Sequence, residues 1–280
     1  MEIKTLTGIS TKEILSVFNA SFSDYFIPFH LSEEQLTAKL LADKVSLDLS
    51  VGVFEDGKPI AFILHGFDII NGEKIIYNGG TGVVPEKRGL GLTRKMYDFI
   101  LPILKQKDIN TLHLEVITEN IQAIKSYENS GYKIERALSC YKGDITISTT
   151  NNEVVIKKLQ EYNWSVMGTF WDIAPTWQNS INVVNELSAT NISLGAYNND
   201  QLVGYIILSP QNKRIQQIAI DKNFRQRKIA STLLQELIAE YGNAISIINV
   251  DKSATHIDAF LQSLGFEKNV EQLEMKLQLH

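Results

Sequence analysis

The chain has 280 residues, 44% hydrophobic and 21% charged, a composition that suits a soluble globular protein with material for two modest domains. Its formal net charge of −5, from 27 basic and 32 acidic residues, and the lack of a Lys/Arg-dense tract argue against a nucleic-acid backbone as partner. A single cysteine, Cys140, excludes an internal disulfide, and no Cys/His spacing resembles a zinc site, so a reducing, cytoplasmic setting without a metal is expected.

No run approaches the roughly 18 apolar residues of a membrane span, and the start, MEIKTLTGISTKEI, has neither the basic beginning nor the apolar core of a signal peptide. Along the chain, helical segments lead into SVGVFEDGKPIAFIL (Ser50 to Leu64), two strands joined by an Asp-Gly turn, which reads as a hairpin. A third strand runs to Val83. After it, Leu92, Met96, Phe99, Ile100 and Ile103 recur at helical spacing. TLHLEVI (Thr111 to Ile117) is a short, branched apolar run and reads as a strand. A helix through IQAIKSY and a last strand follow.

The same order then repeats. SLGAYNNDQLVGYIIL (Ser193 to Leu208) mirrors the first hairpin, with Gly195 against Gly52 and Tyr205 against Phe62 at an offset of 143. AIDKNFRQRKIASTLLQEL mirrors VVPEKRGLGLTRKMYDFI, with Arg225 against Arg88 at 137, and Gly265 matches Gly131 at 134. Ile229, Leu233, Leu234, Leu237 and Ile238 repeat the apolar face of the helix, and AISIINV (Ala244 to Val250) repeats the strand. The falling offset means shorter loops in the second copy. Strands alternating with helices imply, in each copy, a mixed sheet covered on both faces. The polar stretch GDITISTTNNEVV marks the boundary, giving domains over 1–147 and 148–280.

Arg88-Gly89-Leu90-Gly91-Leu92-Thr93 stands between a strand and a helix, where the first-turn N–H groups lack intrahelical partners and suit an anion. Glycine permits close approach of the backbone; a tight strand-to-helix connection explains the two glycines equally well. The loop lacks GxxxxGK[ST] and the dinucleotide fingerprint. Val83-x-Pro85-x-x-Arg88-Gly89-x-Gly91 does resemble the acyl-CoA pyrophosphate motif of the GNAT superfamily of N-acetyltransferases, V-x-P-x-x-(Q/R)-x-x-G-x-(G/A). Downstream, Asn120-x-x-Ala123-x-x-x-Tyr127-x-x-x-Gly131-Tyr132 resembles that superfamily's second motif. The two motifs cover the first copy, and the repeat extends the resemblance to the whole chain, a tandem pair of α/β GNAT-like domains with mostly antiparallel sheets. Thr93 departs from the small residue the family prefers.

The resemblance implies an acetyl-CoA-dependent N-acetyltransferase whose acceptor is a primary amine of a small molecule or protein, attacking directly in a ternary complex. Val83 would pair with the pantetheine arm, the amides of residues 88 to 93 would hold the pyrophosphate, and Asn120 would bond the pantetheine or simply cap the next helix. Tyr127 would protonate the leaving thiolate, or else serve as a core aromatic. Glu115 is the candidate base, or equally a buried, paired carboxylate or a residue at a sheet edge, and Asp24 and Tyr25 fall in the acceptor region, although a loop packed through Phe26 and Phe29 explains them too. His113-x-Glu115 is too sparse for a metal. In the second copy Lys228 replaces the loop glycine, its stem expected to crowd the backbone approach, and Ala254 and Leu261 occupy the Asn and Tyr positions. That half reads as degenerate: a support, a cover for the acceptor groove or a homodimer contact, with Trp164, Trp171 and Trp177 as interface or core aromatics.

Overall fold

In the computed structural model, which describes residues 1–25 and 29–279, the chain divides into two units, residues 1–135 with 273–280 and residues 136–272. Unit 1 contains β1 (Glu2–Thr5), α1 (Thr11–Ser21), α2 (Glu33–Ala42), β2 (Val51–Glu55), β3 (Lys58–Ile70), β4 (Glu73–Val83), α3 (Leu92–Gln106), β5 (Thr111–Ile117) and α4 (Ile121–Asn129). After β6 (Lys133–Asp144), unit 2 continues with β7 (Val155–Lys158), α5 (Trp164–Met167), α6 (Ile181–Glu186), β8 (Ile192–Asn198), β9 (Gln201–Ser209), β10 (Arg214–Ile220), α7 (Ile229–Tyr241), β11 (Ala244–Asp251), α8 (Thr255–Ser263) and the start of β12 (Glu267–Gln278). Both α1 and α2 begin at capping boxes, Ser10 with Glu13 and Ser32 with Gln35, which satisfy two otherwise free N–H groups at each helix start.

The sheet of unit 1 is ordered β1-β2-β3-β4-β5-β12 and that of unit 2 β6-β11-β10-β9-β8-β7. All pairs with a recorded register are antiparallel except β4 with β5 and β10 with β11. In unit 1, α3 and α4 cover one face around Met96, Tyr97, Ile100 and Leu114, and α1 and α2 cover the other around Phe18, Leu36 and Phe62. Unit 2 repeats this with α7 and α8 on one face and Met167, Phe170, Val184 and Tyr205 on the other.

The division differs from a cut after residue 147, because the last strands of the two copies change places. Met275 and Leu277 are buried in the core of unit 1, and the Leu279 N–H donates to the Asn110 carbonyl at 2.9 Å. Conversely, β6 pairs with β11 from Leu138 to Asp144 and adds Tyr141 to the core of unit 2. Gly143 is required there, since a Cβ on it would stand 2.3 Å from the Gly265 carbonyl oxygen. Deleting Met275 side-chain atoms should therefore act on the first unit. Met275→Ala is expected to cost roughly 2–5 kcal/mol and to lower the urea midpoint reported by unit 1 amides in hydrogen exchange; an unchanged midpoint there would contradict the exchange of strands.

His65, fully buried on β3, bonds through Nδ1 to the Leu49 carbonyl at 2.8 Å. Burial pushes its pKa down to about 4 from 6.5. The unfolded chain then binds the extra proton first, so stability falls as pH drops from 6.5 towards 4, by roughly 3 kcal/mol in full. Urea midpoints measured across that window should decline in the wild type and much less in His65→Gln; parallel slopes would count against it.

Candidate active site

The parallel pair β4 and β5 is in register only from Ile75 to Tyr77 against Thr111 to His113. Beyond Tyr77, β4 continues along β3 to Val83 through a bulge at Gly79, and the two strands part. Glycines at 79, 80 and 82 interrupt the strand, and Gly82 is sterically required. A Cβ there would lie 2.4 Å from the Phe62 ring and 2.7 Å from Ser21 Cβ.

Side chains gather where the strands part. Asn78 Nδ2 donates to Thr81 Oγ1 at 2.8 Å and to Tyr97 Oη at 2.9 Å, and its Oδ1 accepts from the Gly80 N–H at 3.0 Å. The Tyr97 and Tyr132 hydroxyls are 3.2 Å apart, and the Tyr127 ring packs edge-on to Tyr132 with centroids 5.7 Å apart. Tyr127 is buried, with Thr81 and Asn78 close to its hydroxyl. Burial raises its pKa above the ordinary tyrosine value, and the neighbouring Tyr25 adds to the rise, so the hydroxyl keeps its proton at neutral pH.

Glu115 accepts from Tyr77 Oη at 2.6 Å. Its neighbours Leu114 and Val116 belong to the core on the α3 side, so strand alternation turns Glu115 to the opposite face. The candidate acid and candidate base thus approach the opening from opposite sides. Asn120 caps α4, its Oδ1 accepting from the Ala123 N–H at 3.1 Å, which is the capping role.

In the loop, Gly89 and Gly91 adopt φ of +76° and +67°, the left-handed conformation that glycine tolerates best. Gly91 is the N-cap of α3, and the first helical bond runs from the Lys95 N–H to the Gly91 carbonyl at 3.1 Å. Helix geometry leaves the N–H groups of Leu92, Thr93 and Arg94 ahead of that bond. The Leu92 side chain is buried in the core and Leu90 is exposed, so these two enter the loop's chemistry through the backbone. Arg88 turns away from the loop: Nη1 and Nη2 clamp the Asp24 carboxylate at 2.7 Å each, Nη2 also donates to the Ser21 carbonyl at 2.9 Å, and Nε to that of Val83 at 3.2 Å. The Val83 carbonyl, expected on the pantetheine arm, therefore already has one donor. Tyr25 packs edge-on to Phe22 with centroids 5.1 Å apart. Phe26 lies outside the described residues, while Phe29 packs on Phe18 and Phe22.

Unit 2 repeats this geometry with other residues. Arg225 donates to Asp172 at 2.7 Å, to the Phe170 carbonyl at 2.8 Å and to the Ile220 carbonyl at 3.2 Å. Gln226 and Lys228 hold φ of +60° and +61° where unit 1 has glycines. Lys228 thus keeps the backbone path that its side chain was expected to crowd, in a conformation that costs a non-glycine residue about 1–3 kcal/mol. Asp172 had a sequence signal, Phe170-Trp171-Asp172 against Phe22-Ser23-Asp24, and Asn78 had one in the glycine run that follows it. The three tryptophans pack within unit 2: Trp177 is buried, Trp171 Nε1 donates to Tyr205 and Trp164 Nε1 to Asn185.

A family model described as "Acetyltransferase (GNAT) family" matches residues 14–132, and one described as "Acetyltransferase (GNAT) domain" matches residues 170–277. Among solved structures, a tandem GNAT protein from the clavulanic acid biosynthesis pathway aligns with a TM-score of 0.76 at 12% identity, over 100% of this chain and 98% of its own. A GCN5-related N-acetyltransferase from Sphaerobacter thermophilus aligns at 0.73 and 15%, over 100% and 96%. A putative acetyltransferase from Pyrococcus horikoshii aligns at 0.71 and 14%, over 99% and 89%. At such identities the likeness shows the fold. No curated protein matches.

The clamp yields a test. Arg88 holds the Asp24 carboxyl below its ordinary range, so the pair persists at neutral pH and is lost only as pH falls through that depressed value. Arg88→Ala should speed hydrogen exchange at residues 20–25 several-fold at pH 7 and leave the interior of α3 unchanged. Equal rates in both proteins would remove the clamp's role.

Proposed function

From the premise that this chain belongs to the GNAT acetyltransferase superfamily, as two tandem domains of that fold, we propose that unit 1 transfers an acetyl group from acetyl-CoA to a primary amine, by direct attack in a ternary complex. The observation that carries this reading is the opening between β4 and β5, with a protonated tyrosine on one face, a carboxylate on the other and free amides at the adjoining helix start.

The groups present fit an acyl-CoA. The N–H groups of Leu92, Thr93 and Arg94 offer donors to a diphosphate, each bond to a charged group contributing roughly 1.5–3 kcal/mol, and the glycines at 89 and 91 let it approach. Thr93 adds a hydroxyl. Arg88 orients the loop through Val83 and Asp24 instead of contacting phosphate. A thioester lying between the strands places its sulfur where Tyr127 Oη now meets Thr81 and Asn78. Tyr127 then gives its proton to the sulfur as the C–S bond breaks and the amine nitrogen bonds the carbonyl carbon. Asn78 accepts the role of a positioning residue, holding the bulge, Thr81 and Tyr97 together. Glu115, relayed by Tyr77, takes the proton that the attacking ammonium must shed, which at pH 7 costs about 4.6 kcal/mol for a lysine-like amine. Asp24 and Tyr25 border the acceptor's approach. The acceptor is a small-molecule or protein amine, and unit 2 supports unit 1 without transferring an acyl group, because Leu261 replaces the acid. A cytoplasmic location is part of the reading; among the described residues no helix is long and apolar enough to cross a membrane.

A second reading, an acyl-CoA-binding protein without turnover, is favoured by one observation: Tyr97, Tyr127 and Tyr132 pack together at the opening in unit 1, whereas a cavity of about 890 Å³ lies in unit 2. Free-thiol release from acetyl-CoA across a panel of polyamines, amino sugars, amino acids and peptide N-termini separates the two. Turnover should appear with at least one amine and fall about 100-fold or more in Tyr127→Phe, with CoA affinity nearly unchanged. Binding without thiol release for any amine would favour the second reading.

A further inference from the structure

Where β10 and β11 part, after register at only Arg214 and Ile215, unit 2 holds a cavity of about 890 Å³ bordered by both strands, by α7 and α8 and by the loop at Lys228. Small-molecule sites occupy roughly 300–1,000 Å³. The matching place in unit 1 carries polar side chains, and strand register and helix position give each its counterpart. Asn78 and Thr81, opposite His65 and Ile63, correspond to Ile215 and Ile218, opposite Leu208 and Ile206. Tyr97, sixth in α3, and Tyr127, seventh in α4, correspond to Leu234 and Leu261. Each of these hydroxyls and amides is thus replaced by an aliphatic side chain.

Ile215, Ile218 and Leu261 line the cavity together with Ile220, Ile247 and Phe260. Gln216 and Asn179 border it too, but the Gln216 amide atoms and the Asn179 side-chain oxygen are buried beneath its surface, out of a ligand's reach. Apolar cavities stay dry and accept apolar groups. The charged lining residues are Asp172, Arg225, Lys228 and His256. Asp172 binds Arg225 at 2.7 Å and His256 at 3.1 Å, with Lys222 at 3.8 Å, so its charge is already answered. Lys228 is exposed, and its ammonium has no partner among the described residues. It holds φ of +61°, which glycine adopts without strain, so the loop carries this cation at a cost to its backbone. The complement of such a lining is an apolar body with one negative charge.

The anionic head must also be small. Residues 146–151 cross the helix side of the cavity: the Thr146 N–H donates to the Leu264 carbonyl at the end of α8 at 3.0 Å. Asn151 Nδ2 donates to the Arg227 carbonyl at 2.7 Å and the Asn151 N–H to Thr232 Oγ1 at 2.8 Å, both at the start of α7. Ser148 and Thr149 line the cavity between these anchors. The crossing takes up the approach to the first turn of α7, which suits a carboxylate better than a nucleotide. We infer that unit 2 binds a fatty acid, its chain in the cavity between β10 and β11 and its carboxylate at Lys228. Leu261, in the place of Tyr127, has no proton to give, so the ligand is held without acyl transfer. The inference does not depend on turnover in unit 1.

All three tryptophans lie in unit 2, and Trp171 lines the cavity, so tryptophan emission of the full chain reports on this site. Titration with octanoate, decanoate and laurate should give a saturable change, with affinity rising roughly threefold to fourfold for each added methylene. Lys228→Gln, a surface change that leaves the core intact, should weaken decanoate about threefold to fivefold and leave 1-decanol unaffected. Ile218→Phe, which fills the cavity, should abolish binding of both. No saturable change, an affinity that does not rise with chain length, or equal losses for decanoate and 1-decanol in Lys228→Gln would overturn the inference. Displacement of decanoate by CoA would overturn it as well, since the cavity would then be a second cofactor site.

Discussion

The early parting of a parallel strand pair governs both units. A strand that leaves its neighbour after two or three residues exposes backbone and opens a gap beside it. Unit 1 sets Tyr97, Tyr127 and Tyr132 at its gap, tied by hydroxyl contacts to Asn78. Unit 2 keeps a cavity with aliphatic residues in the corresponding places. One geometry thus has two chemical solutions, one carrying an acid and the other an apolar lining without an acid.

The strand-to-helix loop depends on the same geometry, because it begins where β4 or β10 ends. In both units an arginine binds the last strand carbonyl, a carbonyl near the preceding helical segment and a carboxylate. That anchorage explains how Gln226 and Lys228 remain left-handed without glycine: the surroundings fix the backbone, and the residue bears the strain. Glycine in unit 1 is therefore best understood as permitting an approach to the backbone, since the turn itself forms without it.

Much of this was legible in the sequence. The helical spacing behind Gly91, the hairpins, and the matched Arg88 and Arg225 appear in the structure where periodicity and the repeat placed them. Other features were hidden for physical reasons. The exchange of β6 and β12 leaves no local mark, because a strand such as EQLEMKLQ carries the same alternation whichever sheet accepts it. The Arg88–Asp24 clamp joins residues 64 positions apart, which the family resemblance assigns separately to ligand and acceptor. Asn78 is marked in the sequence only by the glycine run after it, and its role depends on the bulge that this run forms.

The central claim is that the acyl donor lies in the opening of unit 1 with its sulfur at Tyr127. A crystal structure of the full chain with CoA tests it most directly. The diphosphate should contact the N–H groups of Leu92 to Arg94, and the thiol should lie within hydrogen-bonding distance of Tyr127 Oη. CoA seated elsewhere, with its sulfur out of reach of Tyr127 Oη, would contradict it.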